Sequence, residues 1–148
     1  MSKNIKKIIV INGPNLNNLG NRNNNLYGKE TLLDVESQML ENGKNNNFDV
    51  SFFQSNHEGE LIEKIQEIGF KYDGIIINGG GFTHTSIALR DAISSIKCPA
   101  VEVHISNILS REEFRKKSYL SDVCQGIISG LGLSGYEYAI QYFISQND

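Results

Sequence analysis

The stretch Ile8–Gly28, IIVINGPNLNNLGNRNNNLYG, falls into two parts of opposite character. Ile8, Ile9, Val10 and Ile11 are consecutive β-branched residues with no polar alternation, the pattern of a strand buried on both faces. At Asn12 the pattern changes. Gly13, Pro14, Gly20 and Gly28 punctuate a polar segment that neither a helix nor a sheet holds for long. Asn15, Arg22 and Tyr27 sit inside it, although a plain connector requires none of them. A loop that follows a buried strand is where α/β proteins place their chemistry.

Outward from this stretch, strand and helix patterns alternate. Thr31 with Asp34 three residues on is a variant of the capping box. Leu32, Val35 and Met39 share one helical face, and Gly43 is expected to end that helix. Lys44 to Asn47 reads as a polar turn, and Phe48 to Gln54 (FDVSFFQ) as a second strand. A helix is expected from near Glu58, with Glu58 and Glu60 at the positive end of its dipole. Its buried stripe is Leu61, Ile62, Ile65 and Ile68. Gly74 to Asn78 (GIIIN) is a third strand, running into Gly79, Gly80 and Gly81, then Phe82, Thr83 and His84. A helix with Leu89, Ala92, Ile93 and Ile96 on one side follows. Pro99 to Val103 (PAVEV) is a fourth strand, Arg111 to Lys117 is expected to form one or two helical turns, Gly126 to Ser129 a fifth strand, and Tyr136 to Ser145 a closing helix. Such alternation predicts an α/β fold: a five-stranded parallel sheet between helical layers, with right-handed crossovers. The expected topology is a flavodoxin-like three-layer sandwich of strand order 2-1-3-4-5. The asparagine runs Asn21 to Asn25 (NRNNN) and Asn45 to Asn47 read as loop.

The composition narrows the function classes. With 148 residues the expectation is a single domain spanning 1–148. A hydrophobic fraction of 39% and a charged fraction of 21% suit an ordinary soluble protein. The longest apolar run, Ile8 to Ile11, is far short of the roughly 20 residues a membrane span needs. The basic start MSKNIKK leads directly into a strand and does not read as a signal peptide. Cys98 and Cys124 form no CxxC pair, so a reducing cytoplasm is the expected location. A net charge of −3 argues against nucleic-acid binding. Arg115, Lys116 and Lys117 read as a short solvated helix face.

In an open parallel sheet the residues just past each strand share one edge, and ligands bind there where the strand order switches. That edge collects Asn12, Asn15, Arg22 and Tyr27 after the first strand, and Ser55, Asn56, His57 and Glu58 after the second. The third adds Asn78, the glycines, Thr83 and His84, and the fourth adds Glu102, His104 and Ser106. All three histidines of the chain therefore fall on one rim. Each element also has a plainer reading. Asn-Gly and Gly-Pro are common turn material, and a histidine at a strand end is often structural. Gly79 to Gly81 could cradle a phosphate, but it lacks the P-loop lysine and the GxGxxG spacing. The histidines with Glu58 or Glu102 could hold zinc, but no HExxH pair is present. Ser106 stands in no nucleophile elbow, and no Cys adjoins a His, so covalent catalysis has little support.

Two pairs are more pointed. Tyrosine is a poor base at neutral pH, but a nearby guanidinium favours the phenolate, so Arg22 with Tyr27 makes a candidate base unit. Glu102 and His104, two apart in or beside a strand, share a face, and a carboxylate can orient an imidazole. A base and an acid on one rim suit removal of a carbon-bound proton with expulsion of a hydroxyl. Other proton transfers suit them as well, and the pattern alone does not choose.

The motifs that carry these residues resemble the type II 3-dehydroquinate dehydratases over nearly the whole chain. They are NGPNLNNLGNR with LYG (Asn12 to Arg22, Leu26 to Gly28), QSNHEGELI (Gln54 to Ile62), HTSIALRDA (His84 to Ala92), VEVHISN with RxxFR (Val101 to Asn107, Arg111 to Arg115) and GLGLSGYEYA (Gly130 to Ala139). The resemblance implies conversion of 3-dehydroquinate to 3-dehydroshikimate and water, with no metal and no cofactor. It implies that Tyr27 takes the C2 proton, that Arg22 lowers its pKa and closes with the loop, and that Asn15 stabilises the enolate through a water. His104 would protonate the leaving C1 hydroxyl, with Glu102 orienting it. Asn78, His84, Ile105, Ser106 and Arg115 would bind the substrate, and Asp91 would reach a neighbouring subunit's site in a dodecamer of trimers.

The chain departs from the family pattern in two places. Asn23 and Asn24 replace an acidic residue or Gln and a proline after the loop arginine, and Gly79-Gly80-Gly81 replaces Pro-Gly-Ala. A looser lid and a less rigid pocket floor are the expected consequences. Two other classes remain open: a flavodoxin-like nucleotide or flavin module using Gly79 to Thr85 as an anion cradle, and a non-catalytic scaffold that keeps the fold.

Overall fold

The computed structural model describes residues 4–19 and 31–146. The strands are β1 (Lys6–Asn12), β2 (Phe48–Gln54), β3 (Gly74–Asn78), β4 (Ala100–His104) and β5 (Gly126–Ser129). The helices are α1 (Leu32–Asn45), α2 (Glu58–Ile68), α3 (Ile87–Ser95) and α4 (Ser134–Gln146). The sheet order is β2-β1-β3-β4-β5. Every pairing is parallel, with Val10 opposite both Phe52 and Ile76, and Glu102 between Ile77 and Ile127. This is the flavodoxin-like topology expected from the alternation.

Strand residues alternate between two cores because their side chains alternate between faces. Ile8, Val10, Ile76, Val101 and Val103 pack with Val35 and Met39 of α1 and Tyr136 and Ile140 of α4. Ile9, Ile11, Ile75, Ile77 and Ala100 pack with Leu61 and Ile65 of α2 and Leu89 and Ile93 of α3. Each fully buried Ile or Leu contributes about 1.5–3 kcal/mol relative to exposure. Glu102 and His104 lie on the same side of β4 as Ala100, so their polar groups enter the second core. No helix among the described residues is long and apolar enough to cross a membrane.

Helix α1 starts as expected. Asp34 N–H donates to Thr31 Oγ1, and Thr31 N–H donates to the Asp34 carboxylate at 2.9 Å, a box of about 1 kcal/mol. Its end differs from the expectation, because Gly43 is inside the helix, which runs to Asn45. A Cβ at Gly43 would lie 2.5 Å from Val50 Cγ2 and 2.9 Å from Phe48 O. The glycine lets α1 approach β2, and the chain turns instead at Asn47, whose φ is 62°.

The β4–β5 connection also departs from expectation. Within residues 111–117 the expected helical turns reduce to a single 3-10 turn, Glu113–Arg115, and no α-helix links β4 to β5. The polar groups that follow are drawn to other elements rather than to the preceding turn. Tyr119 N–H donates to Thr83 O at 2.9 Å, and Ser118 Oγ donates to Glu102 at 2.8 Å. A long connection without an α-helix is usually functional.

Candidate active site

At the C-terminal edge of the sheet, β1 and β3 lie side by side while their chains leave in opposite directions, the switch point of the topology. The two exits are locked together. Gly13 N–H donates to Asn78 O at 2.8 Å, and a Cβ at Gly13 would lie 2.5 Å from Gly79 O. Gly80 has φ +58°, beside Pro14, and its N–H donates to Asn78 Oδ1 at 3.1 Å. It is the only one of the three consecutive glycines with positive φ, and it stands where the family pattern also has Gly. The turn that follows is internally bonded, with Phe82 N–H donating to Gly79 O and Thr85 and Ser86 N–H donating to Phe82 O. Those amides face internal acceptors, which disfavours a phosphate cradle.

The crevice is a pocket of about 100 Å³ lined by Pro14, Asn15, Leu16, Asn78, Gly80, Gly81, His84, His104, Ile105, Ser106, Ile108, Arg111 and Arg115. A larger cleft of about 290 Å³ opens at the other end of the sheet around Lys6, Asp73 and Phe143. Size does not choose between them; convergent polar groups do, and these lie in the smaller pocket.

Asn15 adopts φ 70° at the start of a 3-10 turn, Leu16–Asn18. Its N–H donates to Asn56 Oδ1 at 2.9 Å, tying the loop after β1 to the loop after β2. Asn78 is held from behind. Its Nδ2 donates to Tyr136 Oη at 3.0 Å, and the tyrosine donates to Asn12 Oδ1 at 2.5 Å. All three residues are buried, so the network satisfies groups that would otherwise be costly.

His104 Nε2 lies 2.5 Å from Glu102 Oε2. Glu102 is fully buried and also accepts from Ser118 Oγ at 2.8 Å and Ser121 Oγ at 2.5 Å. Burial pushes its pKa up, but the hydrogen bonds from His104, Ser121 and Ser118 and the charge of His104 together outweigh it, leaving it below the ordinary carboxylate value. Because Nε2 donates to the carboxylate, Nδ1 is the nitrogen left to exchange a proton with a ligand. The His84 ring lies 6.3 Å from that of His104, at 25°. Its Nδ1 donates to Lys117 O at 2.8 Å. Burial lowers its pKa, the bond to the Lys117 carbonyl opposes this, and the charges of His104 and Arg115 push it down further.

The run Arg115, Lys116, Lys117 is divided rather than presented on one helix face. Arg115 lines the pocket and donates through Nε to Glu112 at 3.0 Å, leaving its terminal nitrogens for an anion. Lys116 pairs with Glu113, and the Lys117 ammonium lies 4.8 Å from the centre of the Tyr119 ring.

The pocket thus brings together Asn15, Asn78, His84, His104, Ile105, Ser106 and Arg115, with Glu102 directly behind His104. Asp91 is exposed on α3 and does not line it. His57 reaches the same rim but stays exposed at the start of α2, outside the pocket. Tyr27, Arg22, Asn23 and Asn24 lie outside the described residues. Among the described residues no three His, Cys, Asp or Glu side chains cluster as a metal site requires.

Residues 6–144 match the family described as dehydroquinase class II. The chain belongs to the class II dehydroquinases. It is 56% identical over 142 residues to a 3-dehydroquinate dehydratase of Polynucleobacter asymbioticus, with 94% of each chain covered. It is 54% identical over 138 residues to one of Bacillus pumilus, covering 93% of this chain and 94% of the relative. The crystal structure of a type II dehydroquinase from Butyrivibrio crossotus superposes with a TM-score of 0.91 at 50% identity, covering 93% of this chain and 97% of that one.

Sequence reasoning missed several residues of this class II dehydroquinase site. Arg111 lines the pocket and donates to Ser106 Oγ at 3.1 Å. Its signal was the RxxFR motif, in which the helical assumption hid the inward direction of the first arginine. Ser118 and Ser121 carried no signal beyond their spacing. Tyr136 was legible only as a tyrosine in an apolar helix face, whose hydroxyl needs a partner when buried.

Proposed function

We propose that this chain dehydrates 3-dehydroquinate to 3-dehydroshikimate in the shikimate pathway, as a hydro-lyase that works by anti elimination through an enolate. The observation that carries this reading is the buried Glu102–His104 pair at the edge of a pocket whose other polar groups suit a polyhydroxy acid. Tyr27, made more acidic by Arg22, removes the C2 proton, and the electron pair moves onto the C3 carbonyl oxygen. Asn15 stabilises that oxygen through a water, in the manner of donors preorganised for developing charge. The enolate collapses, the C1–O bond breaks, and the hydroxyl leaves as water with a proton from His104, giving the C1=C2 bond conjugated to the carbonyl.

The terminal nitrogens of Arg115 suit bidentate binding of the substrate carboxylate. Asn78, His84 and the backbone of Ile105 and Ser106 take the ring hydroxyls. The roles of Tyr27 and Arg22 rest on the sequence motif. Residues 1–148 are read as one catalytic domain of a cytoplasmic enzyme assembled as trimers within a dodecamer. The exposure of Asp91 outside its own chain's pocket supports its service to a neighbour's site.

The test follows ultraviolet absorbance after mixing with 3-dehydroquinate, with Tyr27→Phe alongside. The product is a conjugated enone that absorbs where the substrate does not. Rising absorbance for the native chain and a flat trace for Tyr27→Phe are expected. A flat trace for the folded, assembled native chain would sink the activity, and an active Tyr27→Phe would remove Tyr27 as the base.

A further inference from the structure

Glu102 has no exposed surface, yet the proposed acid His104 needs a charged partner there. Burial alone would drive such a carboxyl toward its neutral form. What opposes this comes from the β4–β5 connection. Ser118 Oγ lies 2.8 Å from Oε2 and Ser121 Oγ 2.5 Å from Oε1, so each carboxylate oxygen has its own hydroxyl. The direction of the Ser118 bond is set by its other contacts. Its oxygen accepts from Leu120 N–H at 3.1 Å and from Ser121 N–H at 3.2 Å. A hydroxyl has two lone pairs and one proton. With both lone pairs taken, Ser118 can only donate to Oε2, so a Glu102 protonated on that oxygen would meet a donor with a donor.

The segment bearing these serines is fastened on several sides. Tyr119 N–H donates to Thr83 O at 2.9 Å, Arg90 donates to Tyr119 O at 2.9 Å and pairs with Asp122, and Lys117 O accepts from His84. Neither serine lines the pocket, so neither is placed to touch substrate. The geometry points to Ser118 and Ser121 as positioning residues that keep Glu102 ionised and aimed at His104, and so set the pH range over which the pair works. This inference rests on the reading of His104 as the acid.

Other groups also face the pair. His84 lies beside His104, and Arg111 and Arg115 share its pocket. The arginines stay cationic at any working pH, and the charge of Arg115 is felt by His84. Near Glu102, the Cys124 thiol is pushed up to about 12 by burial, then by the charges of Glu102 and Asp122, and stays neutral. Asp122 is engaged by Arg90. That leaves His84 as the other mid-range titrating neighbour; burial lowers its proton affinity below the ordinary imidazole value.

The experiment compares native chain, Ser121→Ala, Ser118→Ala and Ser121→Thr. It measures kcat against pH with 3-dehydroquinate, and the Glu102 carboxyl titration by carbon NMR without substrate. Loss of the Ser121 hydroxyl is expected to move the acid limb upward by about one pH unit, roughly tenfold in proton affinity, with the same shift in the NMR titration. Threonine is expected to restore both. A merely structural serine would lower activity without moving either curve, and superimposable curves for Ser121→Ala and native chain would overturn the inference. Should the alanine variants fail to fold, carboxyl-carbon NMR of the native chain decides. Ionised Glu102 below 4.5, the ordinary value, supports the inference, and protonation at or above 4.5 overturns it. A native chain with no turnover would sink the proposed reaction, while the NMR readouts would still judge the serines.

Discussion

His84 and His104 lie nearly parallel with their rings 6.3 Å apart, in one pocket, yet their partners differ in kind. His84 is answered by a backbone carbonyl and His104 by a buried carboxylate. A carbonyl only accepts, so His84 must carry its proton on Nδ1, and its Nε2 lone pair is an acceptor for a ligand hydroxyl. Burial and the cations nearby keep the ring neutral. The Glu102 carboxylate takes the Nε2 proton and leaves Nδ1 toward the pocket, in keeping with the proposed role of His104 as the donor of the two. The difference teaches that the role of an imidazole is written in the atom behind it rather than in its own position on the rim.

The largest effect should come from removing the donor. His104→Asn is expected to lower kcat by about 10²- to 10⁴-fold, the usual range for general acid catalysis, with KM nearly unchanged in steady-state assays. A KM effect instead would make His104 a binding group and erase the contrast. Removing the acceptor should be milder. His84→Asn is expected to raise KM about tenfold, the loss of one hydrogen bond of about 1.5 kcal/mol, with a smaller change in kcat. A loss confined to kcat would make the two histidines alike.

The smallest effect should appear in stability against pH. His84 has a folded pKa below its ordinary 6.5, so the folded chain binds fewer protons than the unfolded chain just below that value. Stability is therefore retained above 6.5 and lost as pH falls through the lowered folded value. Denaturant unfolding of His84→Asn should have a flatter slope in that window than the native chain. Equal slopes would show that His84 is not held neutral by its surroundings.

Much of this was legible before the structure. The strand at Ile8 to Ile11, the capping box at Thr31 and Asp34, and the strand–helix alternation as far as β4 each follow from local chemistry, and the sheet order follows from their sum. The site residues at strand ends were legible for the same reason, because a parallel sheet delivers those ends to one edge. The end of α1 was misread because Gly43 answers to Val50 and Phe48, which are close in space and absent from any helical pattern. Residues 111–117 look helical by composition, but Thr83 and Glu102 draw the following residues away.

The sequence by itself determined which elements form, which faces of them are apolar, and which polar residues reach the rim. These depend on periodicities of a few residues along one chain. The Glu102–His104 pair was within that reach, whereas tertiary packing alone brought His84 to the Lys117 carbonyl, Ser118 and Ser121 to Glu102, and Tyr136 between Asn12 and Asn78. Those pairings span up to 124 positions. They arise because buried polar groups must find partners wherever packing brings a donor and an acceptor within about 3 Å.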